Sequence, residues 1–214
     1  MLITKVPKML SISVMAHVSR ERFFPELRER LGDVPFSIDH DLTPPRQREL
    51  GAPGLWHNCR AAWQMHDPEA LYHVVIQDDA IVCRDFRARA EEAIYNGIRK
   101  YGSDLAFSFY FGNRHSERQK AAAALERGYI TKTRSPWGVA ICLPRDRIAP
   151  MIAYCDKENI PQDDVRIGRY MQRANLRCYF PLPSLVDHRP ASDTLSLVGD
   201  PGDNRRALYF IDTA

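Results

Sequence analysis

The sequence predicts an α/β fold with a mainly parallel central sheet flanked by helices. Short apolar runs alternate with segments of helical period from residue 9 to about residue 188. Several of those runs end in polar or acidic residues, and ligands of open α/β sheets sit at the carboxyl ends of the strands. The chain has 214 residues, enough for one sizeable core.

The first apolar run, "MLSISVMAH" (9–17), is a buried strand closing on a polar turn. The period then changes. Phe23, Leu27 and Leu31 recur at helical spacing, with Ser19 as a candidate N-cap and Gly32 as a candidate stop. Pro25 fits such a helix only near its first turn. "VPFSIDHD" (34–41) is a second short strand ending in acids, and "TPPRQRELGAPG" (43–54) is a loop. "LWHNCRAAWQMHD" (55–67) is a helix in which Trp56 and Trp63 read as packing residues. "LYHVVIQDD" (71–79) is the third strand. Residues 84–104 form a helix with Phe86, Ala90, Ala93 or Ile94, and Ile98 along one side, stopped by Gly102.

Beyond it the spacing predicts a strand over 105–112, a helix over 116–128 and a strand over 137–144. A helix interrupted by Pro150 follows, then a helix over 162–175 and a terminal strand over 176–188. The prolines of that last strand predict an edge position. The expected organisation is one domain over 1–190 with a loop or tail over 191–214, packed on or near the active site.

Composition narrows the class. Hydrophobic residues at 44% and charged residues at 27% are ordinary for a soluble domain, and a net charge of +3 permits a polyanionic partner without requiring one. Five dispersed cysteines without a C-x-x-C pair fit neither a disulfide framework nor a zinc knuckle, so reduced thiols and a cytoplasmic location are expected. No apolar run is long enough for a transmembrane helix. There is no G-x-x-x-x-G-K-[ST] loop, no G-x-G-x-x-G and no G-x-S-x-G elbow, which disfavours P-loop, dinucleotide and serine-hydrolase chemistry.

The informative segment is "YHVVIQDDAIVCRDF" (72–86), where a buried run stops at two adjacent carboxylates, Asp78 and Asp79. Adjacent carboxylates repel and raise a pKa unless a cation is near. A divalent ion that keeps open positions for phosphate oxygens is one such cation. The bland reading is that one Asp caps the next segment and the other is solvated. Two later features bear on the choice. "IPQDDVRIGRYM" places Asp163 and Asp164 at a helix start, as caps or as a general base at a cleft rim. "PSLVDHRPASDT" ends a strand at Asp187 and His188, where a neutral imidazole suits a metal ligand.

Together these segments resemble the GT-A fold of nucleotide-sugar glycosyltransferases. "VVIQDDAIVCRDF" is similar to that superfamily's acid motif: a strand, an acid cluster, a short strand, then a phenylalanine opening a helix. It is most like the Glu-Asp-Asp variant of lipopolysaccharide-type and phage-type transferases, with Gln77 where Glu is usual. "PQDDVRIGRYM" resembles the acceptor-side acid motif and "SLVDH" the late metal histidine, and the three occur in the same order. The resemblance covers roughly residues 9 to 190 and implies a Rossmann-like sandwich.

It implies Mn²⁺ or Mg²⁺ held by Asp79 and His188, with Asp164, or its neighbour Asp163, as the catalytic base. It implies a donor site drawn from His17, Arg20, Asp39, Asn58, Arg60, Gln77, Asp78, Trp137 and Gly138. The partners implied are a nucleotide-sugar donor and, as acceptor, a saccharide or a hydroxymethylated base of phage DNA. Scattered arginines (Arg114, Arg118, Arg134, Arg166, Arg169, Arg173) keep the DNA branch open. The alternative function is a non-catalytic nucleotide-sugar binder of the same fold.

Overall fold

A computed structural model of the protein describes residues 8–43, 55–113, 115–133, 137–190 and 205–211. The loop expected over 43–54 lies, after Thr43, outside the described residues, as do Arg114, Arg134 and residues 191–204.

The architecture is α/β. A 7-stranded mixed sheet has the order β2-β1-β3-β7-β5-β8-β6. Its strands are β1 (Lys8–His17), β2 (Phe36–Asp39), β3 (Ala70–Gln77), β5 (Leu105–Ser108), β6 (Tyr129–Lys132), β7 (Ala140–Pro144) and β8 (Arg177–Pro181). Pairing is parallel for β1–β2, β1–β3 and β5–β8, and antiparallel at β7 and β6, so most strands point the same way. A second sheet pairs β4 (Ala80–Val82) with β9 (Val186–His188).

The helices are α1 (Phe24–Leu31), α2 (Leu55–Gln64), α3 (Phe86–Tyr101), α4 (His115–Ala124), α5 (Arg145–Cys155) and α6 (Asp163–Arg173). α2, α5 and α6 pack together against β1, β3 and β7, while α1 and α3 pack together against β4, β1 and β5. The alternation of strand side chains explains the two layers. Leu10, Ile12 and Val14 on β1 are buried apolar residues, whereas Ser11 and Ser13 between them bond His73 of β3 and, from Ser13, the Ala62 carbonyl of α2.

Local signals explain most boundaries. α3 buries Phe86, Ala90, Ala93, Ile94 and Gly97, the expected stripe with Gly97 added and Ile98 only partly buried, and Gly102 ends it at φ +85°. Gly32 ends α1 at φ +77°. The start of α1 differs from expectation. Pro25 confines the α-helix to Phe24 onward, and residues Val18–Phe23 form a 3-10 turn instead. Its cap is His17, whose ring accepts the Ser19 N–H, and not Ser19.

β8 is not an edge. Tyr129–Lys132, which the sequence analysis left inside no strand, pairs with it antiparallel and forms the edge itself. The run is four residues long and carries no period a short window can detect. Pro150 does not interrupt α5, which continues through it. All five cysteines are buried thiols. Among the described residues no helix is long and apolar enough to cross a membrane.

Gly97 provides a stability test of the α3–sheet contact. A Cβ there would lie 2.7 Å from Phe107 Cε1 and 2.9 Å from Leu105 Cδ2. Alanine gains helix propensity of about 1 kcal/mol, but overpacking a filled core costs about 1–3 kcal/mol. We expect Gly97→Ala to be a net loss, seen as a lower midpoint in urea denaturation. A higher midpoint would show that the ring of Phe107 yields without cost.

Candidate functional site

Parallel strands place their carboxyl ends on one rim, and that rim collects the polar groups. His17 ends β1 opposite Asp39 of β2, and Met15 pairs with Gln77 at the end of β3. β7 runs the other way, so its start meets the same rim: Gln77 N–H donates to the Val139 carbonyl at 2.9 Å. α6 begins beside it. A Cβ on Gly138 would lie 3.0 Å from Gln77 Nε2 and 3.1 Å from Asp164 Cβ, so the missing side chain brings β3, β7 and α6 together.

The two acids lie just past β3. Both are buried, Asp78 fully. Their counter-charge is Arg20, which follows β1 in the 3-10 turn. One guanidinium nitrogen lies 2.6 Å from Asp78 Oδ1 and another 2.6 Å from Asp79 Oδ2. Asp78 Oδ2 also accepts the His17 backbone N–H at 2.7 Å. Burial raises the Asp78 pKa to about 7, the Arg20 charge opposing and the Asp79 charge adding to the rise. Asp79 Oδ1 is buried and takes no hydrogen bond.

The small sheet brings the histidine to the acids. Ala80 of β4 is paired with His188 of β9, and the Arg189 N–H donates to the Asp79 carbonyl at 2.9 Å. That register holds His188 Nε2 3.7 Å from Asp79 Oδ2. His188 Nδ1 lies 2.6 Å from the Arg189 carbonyl, which only accepts, so Nδ1 carries a proton. In the neutral ring Nε2 then presents its lone pair toward a carboxylate. Two ligands of one ion held at about 2.1 Å lie roughly 3 to 3.6 Å apart, and metal-binding histidines usually donate their other N–H in this way. The 3.7 Å separation of Asp79 and His188 lies just beyond that span, and the unbonded Asp79 Oδ1 is the oxygen left open for an ion. Among the described residues there is no group of three or more His, Cys, Asp or Glu side chains able to hold a metal.

The two acids of α6 separate by environment. Asp163 is buried, bonded to the Cys59 thiol and to the Asp164 backbone N–H; burial raises its pKa, and the Asp79 charge adds to the rise. Asp164 is half-buried at the rim beside Gly138.

Other expected donor residues have structural partners. The Asn58 amide accepts from Ser37 Oγ at 2.5 Å and donates to the Ala16 carbonyl at 2.7 Å, tying α2 to β1 and β2. Arg60 pairs with Asp156 and Gln64, on the side where α2 meets α5. Neither is brought to the acid pair by these contacts. His17 Nε2 donates to the Asp41 carbonyl at 2.9 Å, and Asp39 Oδ1 accepts the Asp41 N–H at 3.0 Å, so both shape the loop after β2. Trp137 is nearly buried among Tyr110, Phe111 and Phe180.

Asp187 and Arg206 were not among the expected site residues. Asp187 is 1% exposed and accepts from the His188 N–H, from Arg206 Nε at 2.6 Å and from the Ala207 N–H at 2.5 Å. Residues 205–211 also bond Phe111, Asn113 and Ser184 through their backbone. The signal for this strap is a buried acid beside His188; its cation lies far along the chain.

No protein-family model matches this chain, and no curated protein matches it.

Proposed function

We propose that the protein is a GT-A-type glycosyltransferase that moves a sugar from a nucleoside-diphosphate sugar to an acceptor hydroxyl. The observation that carries this reading is the register of β4 on β9, which sets His188 against Asp79 at the carboxyl rim of β1 and β3, with Asp164 on the same rim. Binding sites of open α/β sheets lie on that rim. One reversed strand, β7, inside an otherwise same-sense run lets the start of β7 and of α6 share it.

In this reading Asp79 and His188 would hold Mn²⁺ or Mg²⁺, and the ion would supply Lewis-acid stabilisation of charge on a leaving diphosphate. Gln77 and Gly138 line the path between the acids and α6, and Gly138 allows close approach of a sugar to the backbone. Asp164 takes the proton of the acceptor hydroxyl as that oxygen bonds the anomeric carbon and the bond to diphosphate breaks, inverting the centre. Asp163 holds the start of α6 and does not contact the acceptor.

A saccharide acceptor is favoured over DNA. Arg166 is buried on the Ile160 and Cys155 carbonyls and over the Trp56 ring, Arg169 pairs with Glu158, and Arg118 bonds Asn113. Three of the six arginines that kept the DNA branch open are thus engaged within the fold, while Arg173 is exposed and Arg114 and Arg134 lie outside the described residues.

The test is a panel of nucleotide sugars scanned with and without Mn²⁺ for a rise in melting temperature. One donor is expected to stabilise the protein, only with Mn²⁺, and not the Asp79→Asn variant. No donor raising the midpoint under any metal would sink the reading.

A further inference from the structure

Arg20 occupies the place where a free cation would neutralise the acid pair. It touches both carboxylates at 2.6 Å, its side chain is 13% exposed, and Asp79 Oδ2, the oxygen it holds, is the one that faces His188 Nε2. We infer that Arg20 is the site's resident counter-cation, and that a divalent ion and a diphosphate displace it only together. The inference rests on the proposed donor site.

The charges make the coupling. With both acids ionised, two carboxylates and one guanidinium leave a net negative site. A divalent ion entering alone must either take Asp79 Oδ2 from Arg20 or bind Asp79 Oδ1 within a carboxylate's width of the guanidinium. The first takes from a nearly buried guanidinium one of its two carboxylates, and the second sets like charges side by side. A diphosphate removes both obstacles. Its oxygens accept the planar guanidinium in the two-pronged geometry that the carboxylates now provide, and they coordinate the ion as well. By linkage, each ligand then tightens the other by the same factor.

The turn that carries Arg20 suits such a switch. Arg20 sits at φ −114°, ψ 16° inside the 3-10 stretch, at a kink between His17 and α1. Its Nε is buried and unbonded, so two of its nitrogens, and not all three, fix its present position.

The experiment follows free Mn²⁺ by electron paramagnetic resonance as the ion is titrated into wild type, Arg20→Met and Arg20→Lys. Each is measured with and without inorganic pyrophosphate, against pyrophosphate controls lacking protein. Wild type is expected to bind Mn²⁺ weakly alone and roughly tenfold or more tightly with pyrophosphate. Arg20→Met is expected to bind Mn²⁺ alone at least about tenfold more tightly than wild type and to lose most of the pyrophosphate gain. Arg20→Lys, which keeps the charge but lacks the fork that reaches both acids, falls between them and decides the question if Arg20→Met does not fold.

Equal Mn²⁺ affinity in wild type and a folded variant would overturn the coupling while leaving the donor site intact. Mn²⁺ binding to none of the proteins, even with pyrophosphate, would overturn the coupling and the metal site together.

Discussion

If the protein is the proposed transferase, Asp164→Asn is expected to lose sugar transfer by roughly a hundred- to ten-thousandfold while still binding the donor. The expectation follows from the different surroundings of two neighbouring acids. Asp163 is turned inward, where the Cys59 thiol and the Asp164 N–H occupy its oxygens. Asp164 is at the rim, with its Cβ next to Gly138. In the proposed reading, an acceptor that reaches the donor across Gly138 would meet Asp164 before Asp163. Asparagine keeps the size and the helix-start position of the side chain but cannot take a proton.

The measurement is kcat for transfer, alongside donor affinity by calorimetry, in Asp164→Asn and Asp163→Asn. The second variant should keep transfer within a small factor and lose stability instead, because it alters a buried hydrogen-bonded acid. Loss of transfer in Asp163→Asn with Asp164→Asn unaffected would reverse the assignment. A non-catalytic binder would show no turnover in wild type and unchanged donor affinity in both variants.

The layers of the fold were legible because they depend on local period. The stripes of α3 and α1 and the apolar runs of β1, β3 and β7 follow directly from it. The edge strand Tyr129–Lys132 was not legible, because its place comes from pairing with β8 far along the chain. β8 was expected at an edge because of its prolines, and the pairing with Tyr129–Lys132 makes it internal. The candidate site divides in the same way. Residues that end strands, such as His17, Gln77, Asp78 and His188, could be picked from the pattern, because strand ends on one rim are a consequence of parallel pairing.

Which of them meet was not in the pattern. Asn58 and Arg60 face the right segments of sequence but bond Ser37 and Asp156. Arg20 was expected in the donor site, and the structure shows it on the acids themselves. A physical clue to that contact was present: two buried like charges need a cation, and Arg20 follows the strand beside them. The strap on Asp187 offered only the acid beside His188, since Arg206 is joined to the rest by residues with no clear period.

Acidification should expose a second buried polar group, away from the candidate site. His73 on β3 is fully buried, between Ser11 Oγ at 2.8 Å from Nδ1 and Ser13 Oγ at 3.0 Å from Nε2. Ser13 gives its hydroxyl proton to the Ala62 carbonyl at 2.9 Å, so Nε2–H donates to Ser13 and Nδ1 accepts from Ser11. The neutral ring is therefore satisfied. Burial lowers its pKa from 6.5 to about 4; a backbone hydrogen bond to Ala62 opposes this, the His66 ring, 6.1 Å away, lowers it further, and a backbone hydrogen bond to Ser11 raises it least.

The unfolded chain takes up this proton below pH 6.5 and the folded protein only below about 4. Stability from this group is thus complete above pH 6.5, falls as the pH drops from 6.5 to 4, and is level below that. The drop across that window, from a shift of about 2.5 units, is roughly 3 kcal/mol. Urea denaturation of wild type and His73→Asn at pH 7 and pH 4.5 isolates it, because the carboxylates titrate alike in both proteins. Wild type should lose roughly 2 to 3 kcal/mol more than His73→Asn between those two values. Equal losses in the two proteins would mean that His73 is protonated in the fold and that its serines accept the second proton without cost.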